Sequence, residues 1–397
     1  MLFSFKKYLR FLTACTIIVG ANDLKAQKIS PQNAEALLKA KQGRIVELPG
    51  FLTEKIPSIS YQTIVAPGPQ YIISDDPEYI RVPEIIAIKE KVQPGSVRLY
   101  VYNVNGVKEP QKIERKITAV IKNTGPSNMT IRMLKYSSQK PTTNYFMAGK
   151  QGLADFFASQ PEKKGRTVKP GEIIAIDEKL EKNKVKYDEL VHGFYEFVID
   201  QPAEISVLQT DPETAGPKAA ARINTVASSR HTNAGRGLFG VSNYLVITKD
   251  TFDTKSEASA IILADGKDDP WIVGKDASTG ELAKLAGNYG VMYQVEMKWK
   301  SSNGKGLALV TWNARSNNGQ WCGGMANTMV VSRGKFKEGV IQLPSDQLRT
   351  KGAPEAILIQ VFEPAKNGEV QTIRFTYSPP GASCLPTPLI FIPVSME

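Results

Sequence analysis

Five acidic residues crowd one loop of the chain. In DGKDDPWIVGKDASTGE, Asp265, Asp268, Asp269, Asp276 and Glu281 surround Trp271. Oxygen donors at such spacing can bind calcium, which takes roughly six to eight hard ligands, although the run does not follow the EF-hand pattern with its closing Glu. Asp265, Asp268 and Asp269 are therefore the candidate metal ligands, and calcium is the one cofactor the sequence leaves open. The competing reading makes them turn and cap residues, for which Asp and Gly are the ordinary choice.

Aromatic side chains offer a second chemistry. Trp271, Trp299, Trp312 and Trp321, with Tyr289 and Tyr293, are the raw material for a platform on which a sugar ring could lie. Alternation in the surrounding strands turns Trp299 and Trp312 toward a core, which leaves Trp271 and Trp321 as the candidate ligand contacts. A further aromatic group, Tyr145, Phe146, Phe156 and Phe157, falls in a segment where Leu153, Phe156 and Phe157 keep helical spacing. It predicts a short helix that either lines a groove or plugs an open end of a core, and packing inward is the commoner use of such a triplet.

Much catalysis is excluded by scarcity. A three-histidine metal centre is impossible with only His192 and His231 in the chain, and a Ser-His-Asp arrangement would have to use one of them. His192 alternates with Leu190 and Phe194 in a strand, as a structural histidine would, and His231 lies in a segment poor in large apolar residues. No sequence pattern selects a pair of carboxylates for glycoside hydrolysis. The glycines of GRGLFG precede a strand and lack the strand-glycines-helix context of a phosphate loop.

These residues must be held by strands. From Tyr289 to Trp321 the chain reads as two alternating strands about a Ser-Asn-Gly-Lys-Gly turn, with Val291, Tyr293, Val295, Met297 and Trp299 on one face, the expected core hairpin of an all-β unit. Strand candidates at roughly ten-residue spacing fill the rest. They predict two β-sandwich domains: residues 71–210, immunoglobulin-like, with a hairpin over Ile117–Tyr136 whose Ile117, Ala119, Ile121, Ile131 and Met133 face inward, and residues 238–397, jelly-roll-like. Residues 27–70 read as an extended arm with a short helix capped by Ser30, and residues 211–237 as a linker.

The first 26 residues stand apart. Lys6, Lys7 and Arg10 precede the apolar run FLTACTIIVGA, and Ala26 precedes Gln27, which reads as a secretory signal peptide too short to span a bilayer. Lipidation at Cys15, in LTAC, is the alternative. Removing the leader leaves 46 basic against 38 acidic residues, a balance of +8. Such a charge favours anionic surfaces, and nucleic acid is disfavoured because no recognition helix or aromatic-basic motif is present. No later stretch is apolar for long enough to predict a transmembrane span.

Cysteine usage fits that address. With Cys15 removed, Cys322 and Cys384 remain, an even pair in a chain bound for an oxidising compartment, and they are expected to be joined. The bridge would close a loop of about 62 residues, stabilising by roughly 4 kcal/mol on the loop-entropy account.

The stretches VRLYVYNVNGVKEP, IRMLKYSSQKPTTNYF and SPPGASCLPTPL give the chain a resemblance to uncharacterised exported bacterial envelope proteins of β-sandwich type. Some of these carry an added module similar to the N-terminal domain of copper amine oxidases, which is not visible here. The resemblance implies an envelope location and no activity. An oxidase is not implied, because its copper needs three histidines and its cofactor tyrosine sits in Asn-Tyr-Asp/Glu, where this chain has Asn288-Tyr289-Gly290.

The sequence thus predicts a periplasmic, cell-surface or extracellular protein that binds or scaffolds cell-wall glycan or an anionic envelope polymer without catalysis. A structural or adhesive protein that meets a protein partner through a sheet edge is the alternative, and a carboxylate-dependent glycan-cleaving enzyme comes third.

Overall fold

Alternation decides which side of each strand is buried, and the decision is clean. In the computed structural model, which describes residues 28–52, 56–228, 235–276, 279–312, 326–345, 355–383 and 385–396, Val291, Tyr293, Val295, Met297 and Trp299 are each no more than 1% exposed. Ile117, Ala119, Ile121, Ile131 and Met133 are buried as well. The all-β reading and the two sandwiches hold.

The chain opens with α1 (Pro31–Lys39), where Ser30 Oγ accepts from Asn33 N at 3.2 Å, followed by β1 (Ile45–Glu47) and β2 (Tyr61–Ala66). A first run then carries β3 (Gln70–Ser74), β4 (Tyr79–Ile80), β5 (Ile85–Val92), β6 (Gly95–Asn105), β7 (Lys116–Asn123) and β8 (Met129–Ser138). It continues through α2 (Tyr145–Ala158), β9 (Arg166–Val168), β10 (Ile173–Ala175), α3 (Glu178–Glu181), β11 (Leu190–Ile199) and β12 (Ala203–Thr210). After α4 (Gly216–Arg222) and β13 (Gly237–Phe239) a second run begins with β14 (Asn243–Thr248), β15 (Phe252–Asp253), β16 (Ser259–Leu263), β17 (Val273–Lys275) and β18 (Leu282–Lys284). It ends with β19 (Met292–Lys300), β20 (Gly306–Trp312), β21 (Asn327–Val331), β22 (Gly339–Leu343), β23 (Glu355–Phe362), β24 (Gln371–Tyr377) and β25 (Thr387–Val394).

Both sandwiches have one connectivity. In the first, β10-β7-β12-β5 faces β6-β11-β8-β9; in the second, β23-β20-β25-β16 faces β19-β24-β21-β22. Numbering each set of eight strands in order, the two sheets read 6-3-8-1 and 2-7-4-5 both times, the interleaved Greek keys of a jelly roll. The immunoglobulin-like expectation for residues 71–210 holds as two packed antiparallel sheets, and its strand order is the same as that of the second sandwich.

Two expected hairpins are therefore arches. β7 and β8 lie in opposite sheets, and so do β19 and β20. Alternating strands joined by a short glycine-containing turn look alike whether they pair with each other or face each other across a core, because each buries one face either way.

The likeness of the halves extends beyond the rolls. β3 runs parallel to β6, as β14 does to β19, and β4 and β15 add short parallel pairings to the same strands. The strand before each of these crosses over: β2 pairs with β14, and β13 pairs with β3. Where the links cross, Asn243 Nδ2 donates to Pro67 O at 2.9 Å. Gly68 lies so close that an added Cβ would be 2.3 Å from Ser242 Oγ.

Residues 27–70 thus serve the distant half: β1 pairs with β23, and Ala34 and Leu37 of α1 join the cluster over Ala308, Leu358 and Ile390. Residues 211–228 serve the near one, with Ala219 and Ile223 packed on Ile86, Val120 and Leu208. The hairpin β17–β18 extends the first roll's sheet beyond β13.

The halves also meet face to end. Tyr71, Tyr100, Tyr102 and Phe194, on the outer face of the first roll, belong to the same apolar cluster as the core of the second. Arg98 Nη1 donates to Ser242 O at 2.8 Å, and Gly381 N donates to Tyr100 Oη at 2.8 Å. Among the described residues no helix is long and apolar enough to cross a membrane.

Candidate functional site

Helix α2 is the element that builds the site. Asn144 caps it, accepting from Met147 N at 3.2 Å, and its apolar side carries Leu153 and Phe156 into the core. Phe156 stacks on Phe194 with ring centroids 4.2 Å apart. Its carboxy-terminal turn is held by Lys135, whose Nζ donates to Phe157 O and Ser159 O at 3.1 and 2.7 Å. The aromatic triplet therefore packs inward, and only the other side of the helix remains to meet solvent.

That side forms one wall of a groove of about 690 Å³. Met147 and Gln151 come from α2, Ser138, Gln139, Lys140 and Thr142 from the end of β8 and the residues after it, and Lys179, Lys182 and Asn183 from α3 and its exit. Asp177 Oδ1 starts α3 by accepting from Lys179 N and Leu180 N at 2.5 and 3.0 Å, and fully buried Leu180 anchors the turn. Lys179 and Lys182 are consequently turned outward. With Lys140 they place three exposed ammonium groups around the groove, and Glu178 pairs with Lys182 Nζ at 3.5 Å.

Polar atoms in the wall are part-committed. Ser138 Oγ and Tyr195 Oη share a hydrogen bond of 2.5 Å, and Gln139 Nε2 donates to Asp155 at 2.7 Å. Asn183 Nδ2 is buried with no acceptor. A buried donor left unpaired costs on the order of 1–3 kcal/mol, so an acceptor arriving in the groove would recover that cost.

The loop read as a calcium site is organised differently. Asp269 is buried and spends its carboxylate within the chain, Oδ2 accepting from Ala264 N and Tyr293 Oη, both at 2.6 Å. Asp265 Oδ1 accepts from Lys267 N and Asp269 N, each at 3.0 Å, and Asp268 is exposed. Among the described residues no three His, Cys, Asp or Glu side chains come together as metal ligands. The acids instead fasten the loop to the second roll, where Asn288 Nδ2 donates to Tyr293 Oη at 2.7 Å.

Trp271 belongs to the same fastening. Its Nε1 donates to Ala264 O at 3.3 Å, Gly266 lies against its benzo edge, and Lys284 Nζ sits 5.2 Å from the ring. The ring is half-buried and already holds a cation. Trp321, Cys322 and Cys384 lie outside the described residues, as does His231.

His192 is 1% exposed, edge-on to Tyr100 and Tyr102, and burial pushes its imidazole down to about 3. It stays neutral, as the structural reading expects. Sequence reasoning missed the seam beside it, where the turn after β3 sets Asp75 and Glu78 near Tyr71, Tyr100, Tyr102 and Tyr289. Burial raises both carboxyls, Asp75 well above its ordinary value, and Tyr289 is pushed up to about 12. The only trace was the acidic run Asp75-Asp76-Pro77-Glu78, which reads as a turn. The lysine groove was missed too, because Lys140, Lys179 and Lys182 come from segments whose approach the sequence does not announce.

No family model and no curated protein matches the chain. Among solved structures, the CUB1-EGF-CUB2 region of human MASP-1/3 aligns over 84% of this chain and 99% of its own at 9% identity and a TM-score of 0.18. The 7S globulin of Momordica charantia aligns over 77% and 72% at 8% identity and a TM-score of 0.11.

Proposed function

We propose that this is an exported, non-enzymatic envelope protein that binds anionic wall or surface polymer along the groove between α2, α3 and the end of β8. The observation that carries the reading is the convergence of Lys140, Lys179 and Lys182 on one groove of about 690 Å³ with the unpaired Asn183 donor in its wall. Three cations around a groove match a chain of regularly spaced phosphates or carboxylates better than a single small ion. The leader-like first 26 residues and the +8 balance of the rest support the address, and the Cys322–Cys384 bridge is proposed with it.

Co-sedimentation of the full chain with purified sacculi and envelope polysaccharide across a salt series tests it. Retention that weakens with salt, and that is lost when Lys140, Lys179 and Lys182 are replaced by alanine, is expected. Retention indifferent to those lysines would overturn it. A protein partner is the second reading, favoured by β2, an edge strand free of charged residues with Ile64 and Val65 at 44% and 58% exposure.

A further inference from the structure

The second roll has a cleft at the end that points away from the first. The residues just before β19 meet the first roll, Tyr289 O and Gly290 O accepting from Tyr71 Oη and Arg98 Nη1, and β19 then runs about 26 Å, at roughly 3.3 Å per residue, before it ends at Lys300. There Trp299 pairs with Gln371, the first residue of β24. The β21–β22 turn brings Arg333, and the end of β23 brings Phe362 and Glu363. Together they line a cleft of about 520 Å³, within the roughly 300–1,000 Å³ usual for small-ligand sites.

Three properties of this cleft point to a ligand. Its lining is mostly polar and is backed by two buried aromatics, Trp299, 1% exposed, and Phe362, 6% exposed. Gln371 Oε1 is a buried acceptor with no donor, and Thr372 shares the lining. Arg333 is exposed, and among the described residues no carboxylate lies within 4 Å of its guanidinium, although Glu363 shares the cleft.

We infer that this cleft binds a carboxylate-bearing sugar ring, a uronic-acid type of pyranose. An open guanidinium takes a carboxylate through two parallel hydrogen bonds, a geometry a lone ammonium does not offer. A ring hydroxyl supplies the donor that Gln371 Oε1 lacks, Glu363 accepts from a second hydroxyl, and the C–H face of the ring lies over Phe362. The lining charges, Arg333 and Lys335 against Glu363, sum to +1, which suits one carboxylate per ring. Lys335 contributes little direction, since its Nζ is held by Leu38 O. The site is separate from the lysine groove and stands whether or not that groove binds polymer.

Isothermal titration of the full chain with galacturonic acid trimer and with the neutral galactose trimer tests the assignment. The acidic trimer is expected to bind and the neutral one to bind at least about tenfold more weakly. Arg333→Ala should weaken the acidic trimer by about tenfold or more while sacculus retention is unchanged. The triple Lys140, Lys179 and Lys182 alanine variant should bind the trimer like the wild type. Arg333 is exposed, so its loss should leave the fold intact, which circular dichroism melting checks. No binding of the acidic trimer, equal binding of the neutral one, or an undiminished Arg333→Ala variant would each overturn the inference.

Discussion

His192 stands edge-on to Tyr100, ring centroids 5.1 Å apart at 88°, with the backbone of Gly152 against its other side. An added Cβ on Gly152 would lie 2.3 Å from the imidazole, so the ring is closed in between the outer sheet of the first roll and α2. Nothing at this position can accommodate an imidazolium cheaply, because the aromatic edges and a glycine backbone offer no counter-charge.

Acid should therefore attack the molecule here. A histidine held at about 3 in the folded state, against 6.5 ordinarily, lends stability that is complete above pH 6.5 and is lost as pH falls toward 3. Each unit in that window costs up to about 1.4 kcal/mol. His192→Gln should lower the melting temperature at pH 7 and flatten its fall between pH 6.5 and 4. An unchanged slope in the variant would mean that another group drives the acid transition.

Asp75 should act with the opposite sign. Its folded-state pKa lies well above the ordinary value through burial, with Glu78 and Asp76 adding repulsion. The cost of the buried charge is absent below pH 3.8 and grows as pH rises toward the folded-state value. Asp75→Asn should raise the melting temperature at pH 7 and leave it unchanged near pH 3. A variant less stable at pH 7 would show that the carboxylate has a compensating partner.

Gly149 of α2 faces Gly381 of the second roll, and an added Cβ would sit 2.5 Å from Gly381 O. Alanine improves helix propensity by up to about 1 kcal/mol, whereas overpacking against a backbone oxygen costs about 1–3 kcal/mol. The clash should win, so Gly149→Ala is expected to lower stability by about 1 kcal/mol in denaturant titration. A stabilised variant would show that α2 can lift off the second roll.

Arg236 and Asp276 make an ion pair of 2.8 Å with the arginine fully buried, and Arg236 Nη1 also donates to Asp76 O and Ala87 O at 3.0 and 3.2 Å. Asp276→Asn should cost about 3–5 kcal/mol by leaving a buried cation with less than its due, and Arg236→Met with Asp276→Leu should recover most of it. Equal losses in the single and double variants would place the cost in packing.

Strand faces could be read in advance; strand partners could not. The alternation from Val291 to Trp299 fixed the buried side of β19 correctly, but the same alternation in Leu307 and Leu309 fitted pairing across a turn as well as facing across a core. Register arguments work within a strand and stop at its edge. Residues 27–70 looked like an arm because their strands find partners such as Ile357 and Tyr244, far along the chain. Trp271 looked like a ligand platform because composition cannot tell a loop fastened by Asp269 from one open to solvent. The lysine groove needed the meeting of β8, α2 and α3, which depends on Phe156 finding Phe194.

The crossing of β2 and β13 also sets an order of events. Ribosomes deliver β2 more than a hundred residues before β14, its partner at 243–248, and β1 must wait for β23 near the far end of the chain. The first roll can close around its own eight strands as soon as β12 arrives, and β13 then completes its sheet edge. Within the opening segment, uncharged from Ile56 to Ser74, β3 finds β6 early, whereas β2 stays without its mate until β14 has been made. The growing chain therefore carries an uncharged, unpaired strand through the whole synthesis of the first roll, a segment open to pairing with other chains until β14 arrives.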